Sequence, residues 1–214
     1  MSDYQRDYFD SRFDPRREAM QAQEYARVLS KTGLTGGTIL DVGCGLGEFL
    51  GRFDDASWKK YGIEVSEHAV DVCRAKGIEF ELPTGTGWCD LVVARGSLQH
   101  LDRPLDLLWQ AHAMLRPGGW FVALMTPNAG GPVYRLFQDL PALDPPRNFV
   151  VFSDKTLQQT LLNIGFDHVE FEYPYLGTPY ASPLRDHLRF AARFLGVRRP
   201  FAFWGNMMEC FARN

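Results

Sequence analysis

The chain has 214 residues, 45% of them hydrophobic and 23% charged, and a formal net charge of −3 at pH 7. That size suits one core with embellishments, since single cores grow to about 250 residues before they split, and the balance is that of a globular protein, not a disordered one. No apolar run approaches the roughly 20 residues of a spanning helix, so no stable membrane insertion is expected, and the negative charge gives no general attraction to nucleic acid.

The opening MSDYQRDYFDSRFDPRREAM has no apolar h-region and is too acidic for a transit peptide, so a cytoplasmic location is expected. A helix is predicted over 16–31, with Pro15 in its first turn and Gly33 at its end. TILDV (38–42) reads as a buried strand and Gly47 to Phe53 as the opening of a helix. KYGIEV (60–65) is a second strand, after which Ser66 caps a helix closed by Gly77. IEFEL (78–82) and CDLVVA (89–94) are the third and fourth strands, and Leu105, Leu108, Ala111 and Leu115 give a helical stripe over 102–115.

RPGG (116–119) is a turn into a fifth strand, WFVALM (120–125), followed by an irregular stretch, 126–148, rich in Pro and Gly. Ser153 caps a helix that stops before Gly165, and DHVEFEY (167–173) and GNMMECFARN (205–214) are the last strands. Between them an amphipathic helix spans 182–195, with Leu184, Leu188, Ala191 and Leu195 on one face. The alternation of helix and strand is that of a mainly parallel sheet wrapped by helices. Cys44, Cys73, Cys89 and Cys210 form no C-x-x-C pair, which suits reduced thiols and neither a disulfide framework nor a zinc site.

The motif that carries chemistry is TILDVGCGLGEFLG (38–51). Its glycines, Gly43, Gly45 and Gly47, read G-x-G-x-G, and Glu48 stands where a dinucleotide fingerprint has its third glycine. Asp41 before the turn and Glu48 after it would repel a pyrophosphate from the helix dipole meant to attract it, and no G-K-[ST] follows for a P-loop. A phosphate-free nucleoside bearing positive charge suits these neighbours, and S-adenosylmethionine is one. Glu64, about 20 residues on, is placed to accept hydrogen bonds from both ribose hydroxyls.

On LDVGCGLGEFL, YGIEVSEHAV, CDLVVARGSLQHLDRP, MLRPGGWFVALMTPN and the later PPRNFVVFSDKTLQQTLLNIGFDHVEFE, the chain from about Leu34 onward resembles class I S-adenosylmethionine-dependent methyltransferases, near the ubiquinone-biosynthesis O-methyltransferases. The resemblance implies an α/β, Rossmann-like, doubly wound sheet of seven strands in the order 3-2-1-4-5-7-6, the last antiparallel. It divides the chain into an N-terminal lid or helix (1–33), a cofactor-binding core (34–174), a helical insertion (175–204) and a final strand (205–214). Carried onto this sequence, Asp41, Gly43, Cys44, Gly45 and Gly47 line the methionine and ribose, Glu64 holds the ribose, Val65 packs on the adenine and Ala94 passes the methionine tail. The family's acid for the adenine amino group has no counterpart in the short loop ELPTGTGW, leaving Glu81 or the backbone near Leu82.

The implied reaction is in-line methyl transfer to a small molecule, with S-adenosylhomocysteine as product; a binding protein that lost transfer is the alternative. His100, just past the fourth strand, is the candidate general base, with a structural role as its rival. No Asn/Asp-Pro-Pro-aromatic turn marks an amino-methylating DNA enzyme, and no acid ends strand four to hold magnesium, so no metal is expected. Tyr4, Tyr8, Phe9 and Phe13 either fold over the cofactor or pack on the sheet, and the arginines of 182–195 face either an anionic or lipid-like partner or water.

Overall fold

A computed structural model of the chain describes residues 14–140, 143 and 148–214; the aromatics expected as a lid, Tyr4, Tyr8, Phe9 and Phe13, lie outside them. The elements are α1 (Pro15–Thr32), β1 (Gly37–Val42), β2 (Trp58–Ile63), α2 (Glu67–Arg74), β3 (Cys89–Arg95), α3 (Pro104–Met114), β4 (Leu115–Pro127), α4 (Pro132–Phe137), α5 (Asp154–Ile164), β5 (His168–Glu172), α6 (Pro183–Arg193) and β6 (Met207–Arg213). They form one sheet in the order β2-β1-β3-β4-β6-β5. β1 to β4 pair in parallel, and β6 runs antiparallel to both β4 and β5. Among the described residues no helix is long and apolar enough to cross a membrane.

Strand pleat sorts the core into two layers, because successive side chains leave a strand on opposite faces. Leu40, Val42, Val92, Ala94, Phe121 and Ala123 meet Leu108 and Ala111 of α3 and Leu157 and Leu161 of α5. Their neighbours Ile39, Leu91, Val93, Val122 and Leu124 meet Val28 of α1 and Cys73 of α2. A smaller third cluster joins Val133 and Leu140 to Phe201, with Phe190 and Phe203 against it. Ser66 and Ser153 accept a backbone N–H at the start of α2 and α5 and Gly33 ends α1 in the left-handed region at φ 67°, as the sequence predicts, and Asp14 caps the start of α1 in the same way.

The sheet has six strands, not the expected seven. IEFEL shrinks to one bridge between Tyr61 and Glu79, with Gly62 N–H bonded to Glu79 O at 2.9 Å and Glu79 N–H to Lys60 O at 3.0 Å. Pro83 then offers no N–H, and Gly85 and Gly87, at φ 95° and 68°, turn the chain away from β2. Counted at that edge, the bridge gives the expected strand order.

The segment Gly47 to Phe53 is not an α-helix either: its only helical turn is 3-10, over Leu50–Arg52. Phe49, Leu50 and Phe53 are instead drawn into the core, where Phe53 meets Trp58 edge-on at 5.0 Å. β2 starts at that Trp58 and ends at Ile63, so Glu64 follows the strand. RPGG lies inside β4, whose pairing with β3 begins at Leu115 and shifts register between Cys89 and Leu91. α4 lies within the stretch that reads as irregular, because Gly131 and Pro132 punctuate its start.

Candidate functional site

At the carboxyl end of β1 the chain turns through Gly43, Gly45 and Gly47, at φ 76°, 56° and 73°, values that side chains resist. Added Cβ atoms at Gly43 and Gly47 would stand 2.7 Å from Ser97 Cβ and 2.6 Å from Ile78 Cδ1, so two of these positions exclude alanine twice over. The turn uses its donors internally. Gly43 and Cys44 N–H groups bond to Ile63 O at 2.8 and 3.3 Å, Gly47 N–H to Cys44 O at 3.0 Å, and Gly45 N–H to Glu64 Oε2 at 2.9 Å. A phosphate cradle needs such N–H groups pointing outward; here the geometry joins the charge in disfavouring one.

Beside the turn lies a cavity of about 560 Å³, bounded by the glycine turn, Asp41, Glu48, Arg52, Arg95 and the first turns of α1. Asp41 is 2% exposed, and its Oδ1 has no hydrogen-bond partner. Burial pushes its carboxyl up to about 7; Arg95 opposes the rise and Glu64 adds to it. Nearby, the buried Arg52 Nε also lacks a partner, although Arg52 Nη2 bonds to Glu18 O at 2.9 Å. An unsatisfied acceptor and an unsatisfied donor on one cavity suit a ligand carrying both an ammonium and a carboxylate, as the methionine end of S-adenosylmethionine does. The residues present therefore fit that group.

The expected residues fall into three sets. Asp41, Gly43, Cys44 and Gly45 line the cavity. Glu64 and Val65 stand next to it in sequence and space: Glu64 Oε1 accepts Val65 and Ser66 N–H at 2.7 and 3.0 Å, and Oε2 accepts Gly45 N–H. Three of its four lone pairs are thus used, which leaves room for one ribose hydroxyl; a second needs Glu64 to let go of Val65 or Ser66. Val65 is 68% exposed and presents an apolar side chain. The remainder lie apart: Ala94 is fully buried within β3, Gly47 is buried against Ile78 and Cys73, Leu82 packs on the core, and Glu81 is exposed and paired with Arg74 at 2.9 Å. His100, half-buried in a 3-10 turn after β3, does not line this cavity.

Arg95, Gln21 and Glu24 are the neighbours of this turn and cavity that motif spacing missed. Arg95 follows Ala94 at the end of β3 and would bring a cation to a site meant for one. It is neutralised from α1, where the fully buried Glu24 accepts Arg95 Nε at 2.6 Å. One turn earlier Gln21 Nε2 bonds Glu48 Oε2 at 3.2 Å. Two polar residues one turn apart on the buried side of α1, Gln21 and Glu24, were the available sign.

The methyltransferase-domain family matches residues 13–170. The tRNA (carboxymethyluridine(34)-5-O)-methyltransferase of Mus musculus is 29% identical over 94 residues, 40% of this chain and 14% of that protein. The ubiquinone biosynthesis O-methyltransferase of Thiobacillus denitrificans is 27% identical over 114 residues, 47% of this chain and 49% of that protein. The chain thus spans about half or less of the length of these curated relatives. A SAM-dependent methyltransferase from Archaeoglobus fulgidus shares the fold with a TM-score of 0.59 at 17% identity, covering 91% of this chain and 94% of that one. With the family match over most of its length and a glycine turn, acid and cavity that fit the donor, the chain belongs to the methyltransferase-domain family, in its class I, S-adenosylmethionine-dependent form.

Proposed function

We propose that the chain binds S-adenosylmethionine in the Asp41 cavity and transfers its methyl group to a hydroxyl oxygen of a small molecule. The observation that carries the donor site is Asp41 itself: a buried carboxylate with a free oxygen, over a glycine turn whose N–H groups are already bonded. The named relatives are O-methyltransferases, one acting in ubiquinone biosynthesis and one on tRNA. The net charge of −3 favours the small molecule, since a tRNA acceptor calls for a basic surface.

When bound, the donor would supply an electrophilic methyl to the acceptor oxygen, its carbon–sulfur electrons remaining on sulfur and the acceptor proton passing to water. Asp41 would hold the ammonium and Arg52 Nε the carboxylate, which would fix the donor at one end. Glu64 accepts from the ribose, and Val65 offers its exposed face to the adenine. Such anchoring away from the reacting carbon serves transfer by restricting approach and orientation. His100 stands outside the cavity, and no proton transfer is assigned to it.

Calorimetry with S-adenosylmethionine, S-adenosylhomocysteine and NAD tests the donor site: both sulfur nucleosides are expected to bind and NAD to fail. Absence of binding by either sulfur nucleoside overturns the reading. A panel of phenols, alcohols, amines and carboxylic acids, scored by a one-methyl mass shift, then tests oxygen as the acceptor atom; methylation of amines alone refutes it.

A further inference from the structure

A second cavity, of about 430 Å³, lies on the other side of α1 at the carboxyl end of β4. Met20 of α1 lines it while the next residue, Gln21, lines the first cavity, so one turn of α1 borders both. Arg95 of the first cavity also touches Met125 of the second, Nη2 to Sδ 3.0 Å. Met125 is held at φ 48°, where β4 and β6 lose register between Ala123 and Thr126. A methionine forced into the left-handed region is backbone strain stored where the two cavities meet.

The chemistry of this cavity is lopsided. Its body is apolar and adaptable, with Met20, Met125, Met208 and the buried Phe201. Asn206, also on its lining, is 5% exposed, and among the described residues its Oδ1 has no partner. α6 contributes Arg185 and Arg189. Among the described residues Arg185 has only the Asp186 carboxylate, at 4.0 Å, and Arg189 bonds to a backbone carbonyl, Pro200 O. The other charges on this wall are answered: Arg16 pairs with Asp14 at 2.8 Å, and Glu209 with Arg27, Nε to Oε2 2.8 Å.

We propose that this second cavity is the acceptor site and that it selects an amphipathic anion: an apolar body against the methionines, an acidic group at Arg185 and Arg189, and a hydrogen-bond donor at Asn206. This assignment rests on the first cavity being the donor site. The volume lies in the range of small-molecule sites, roughly 300–1,000 Å³. An acid held by two guanidinium groups gains charge-assisted bonds that its amide cannot make, and each such bond changes affinity by about tenfold or more.

The test compares 6-hydroxy-2-naphthoate, its uncharged 6-hydroxy-2-naphthamide and the cationic 6-hydroxy-2-naphthylmethylamine, by titration of protein labelled with carbon-13 in its methionine methyls. The naphthoate is expected to shift the Met20, Met125 and Met208 methyls and to bind about tenfold tighter than the amide, the amine weakest. Arg185→Gln, at a half-exposed side chain, is expected to remove most of that preference, and Asn206→Asp to weaken the acid through repulsion in a shape-preserving change. Equal binding of the three probes, no methyl shifts, or an unchanged preference in Arg185→Gln overturns the proposal. S-adenosylhomocysteine titrated into the same samples separates the two readings. If it binds while the naphthoate does not, the donor site stands and the acceptor assignment falls; if only the naphthoate binds, the cavity takes its anion and the donor reading falls.

Discussion

Replacing Asp41 with asparagine is expected to stabilise the empty protein while weakening its hold on the donor. The carboxyl is pushed from 3.8 up to about 7, chiefly by burial, so the folded state prefers it protonated. A raised carboxylate contributes fully at low pH, and its contribution is lost as pH climbs from the unfolded value, 3.8, through the folded value, about 7. The ionised group then costs the empty fold about 2 kcal/mol at pH 5.5 and about 4 kcal/mol at pH 8. The amide of Asp41→Asn would keep the shape and carry no such penalty, so the stability difference between variant and wild type grows by about 2 kcal/mol over that interval. Urea unfolding at several pH values between 5 and 8.5, without ligand, measures it. For S-adenosylhomocysteine the wild type should gain affinity with pH, by about tenfold per unit below 7, then level off, while the variant binds weakly throughout. A variant no more stable than wild type at pH 8, or a difference that does not change with pH, refutes the placement of a strained carboxylate on this cavity floor.

Other substitutions probe the frame around it. Gly47→Ala combines a left-handed backbone with a Cβ 2.6 Å from Ile78 Cδ1 and should cost about 2–4 kcal/mol in urea unfolding; a loss under 1 kcal/mol contradicts the packed turn. Glu24→Gln takes from the buried Arg95 cation its hydrogen-bonded counter-charge and should cost about 3 kcal/mol, together with weaker binding of the cationic donor than of the neutral product. Glu64→Ala removes the acceptor of Gly45, Val65 and Ser66 N–H groups, so calorimetry should show S-adenosylhomocysteine weakened at least tenfold; normal binding would show that Glu64 serves the loop alone. Cys89 and Cys210 should resist alkylation until the protein unfolds, because burial raises both thiols, Cys89 to about 12.

Features legible from the sequence are those set by local chemistry. Ser66 and Ser153 sit where a side-chain oxygen must meet a free helical N–H, and the buried strands alternate into two cores with the pleat. The glycine turn was legible too, since its spacing requires the conformations found. Pairings between distant segments were hidden. Glu24 and Arg95 are 71 residues apart, so the ion pair that tames the site's extra cation has no sequence signature. Glu64 stands beside the turn, but its three backbone donors are a matter of rotamer, which spacing does not specify. IEFEL has strand composition, yet an edge with one neighbour and a proline ahead holds a single bridge.

The inward-facing donors of the glycine turn bear on how this site could change hands over evolution. Neutralising Asp41 and Glu48 would remove the repulsion toward phosphates but supply nothing to bind them, because Gly43, Cys44, Gly45 and Gly47 N–H groups are committed to Ile63, Glu64 and the turn itself. A nucleotide-binding descendant would have to refold the loop before it could profit from new charges. Selectivity for the donor is therefore written largely into the path of the main chain, with the Glu64 carboxylate as its one side-chain tie.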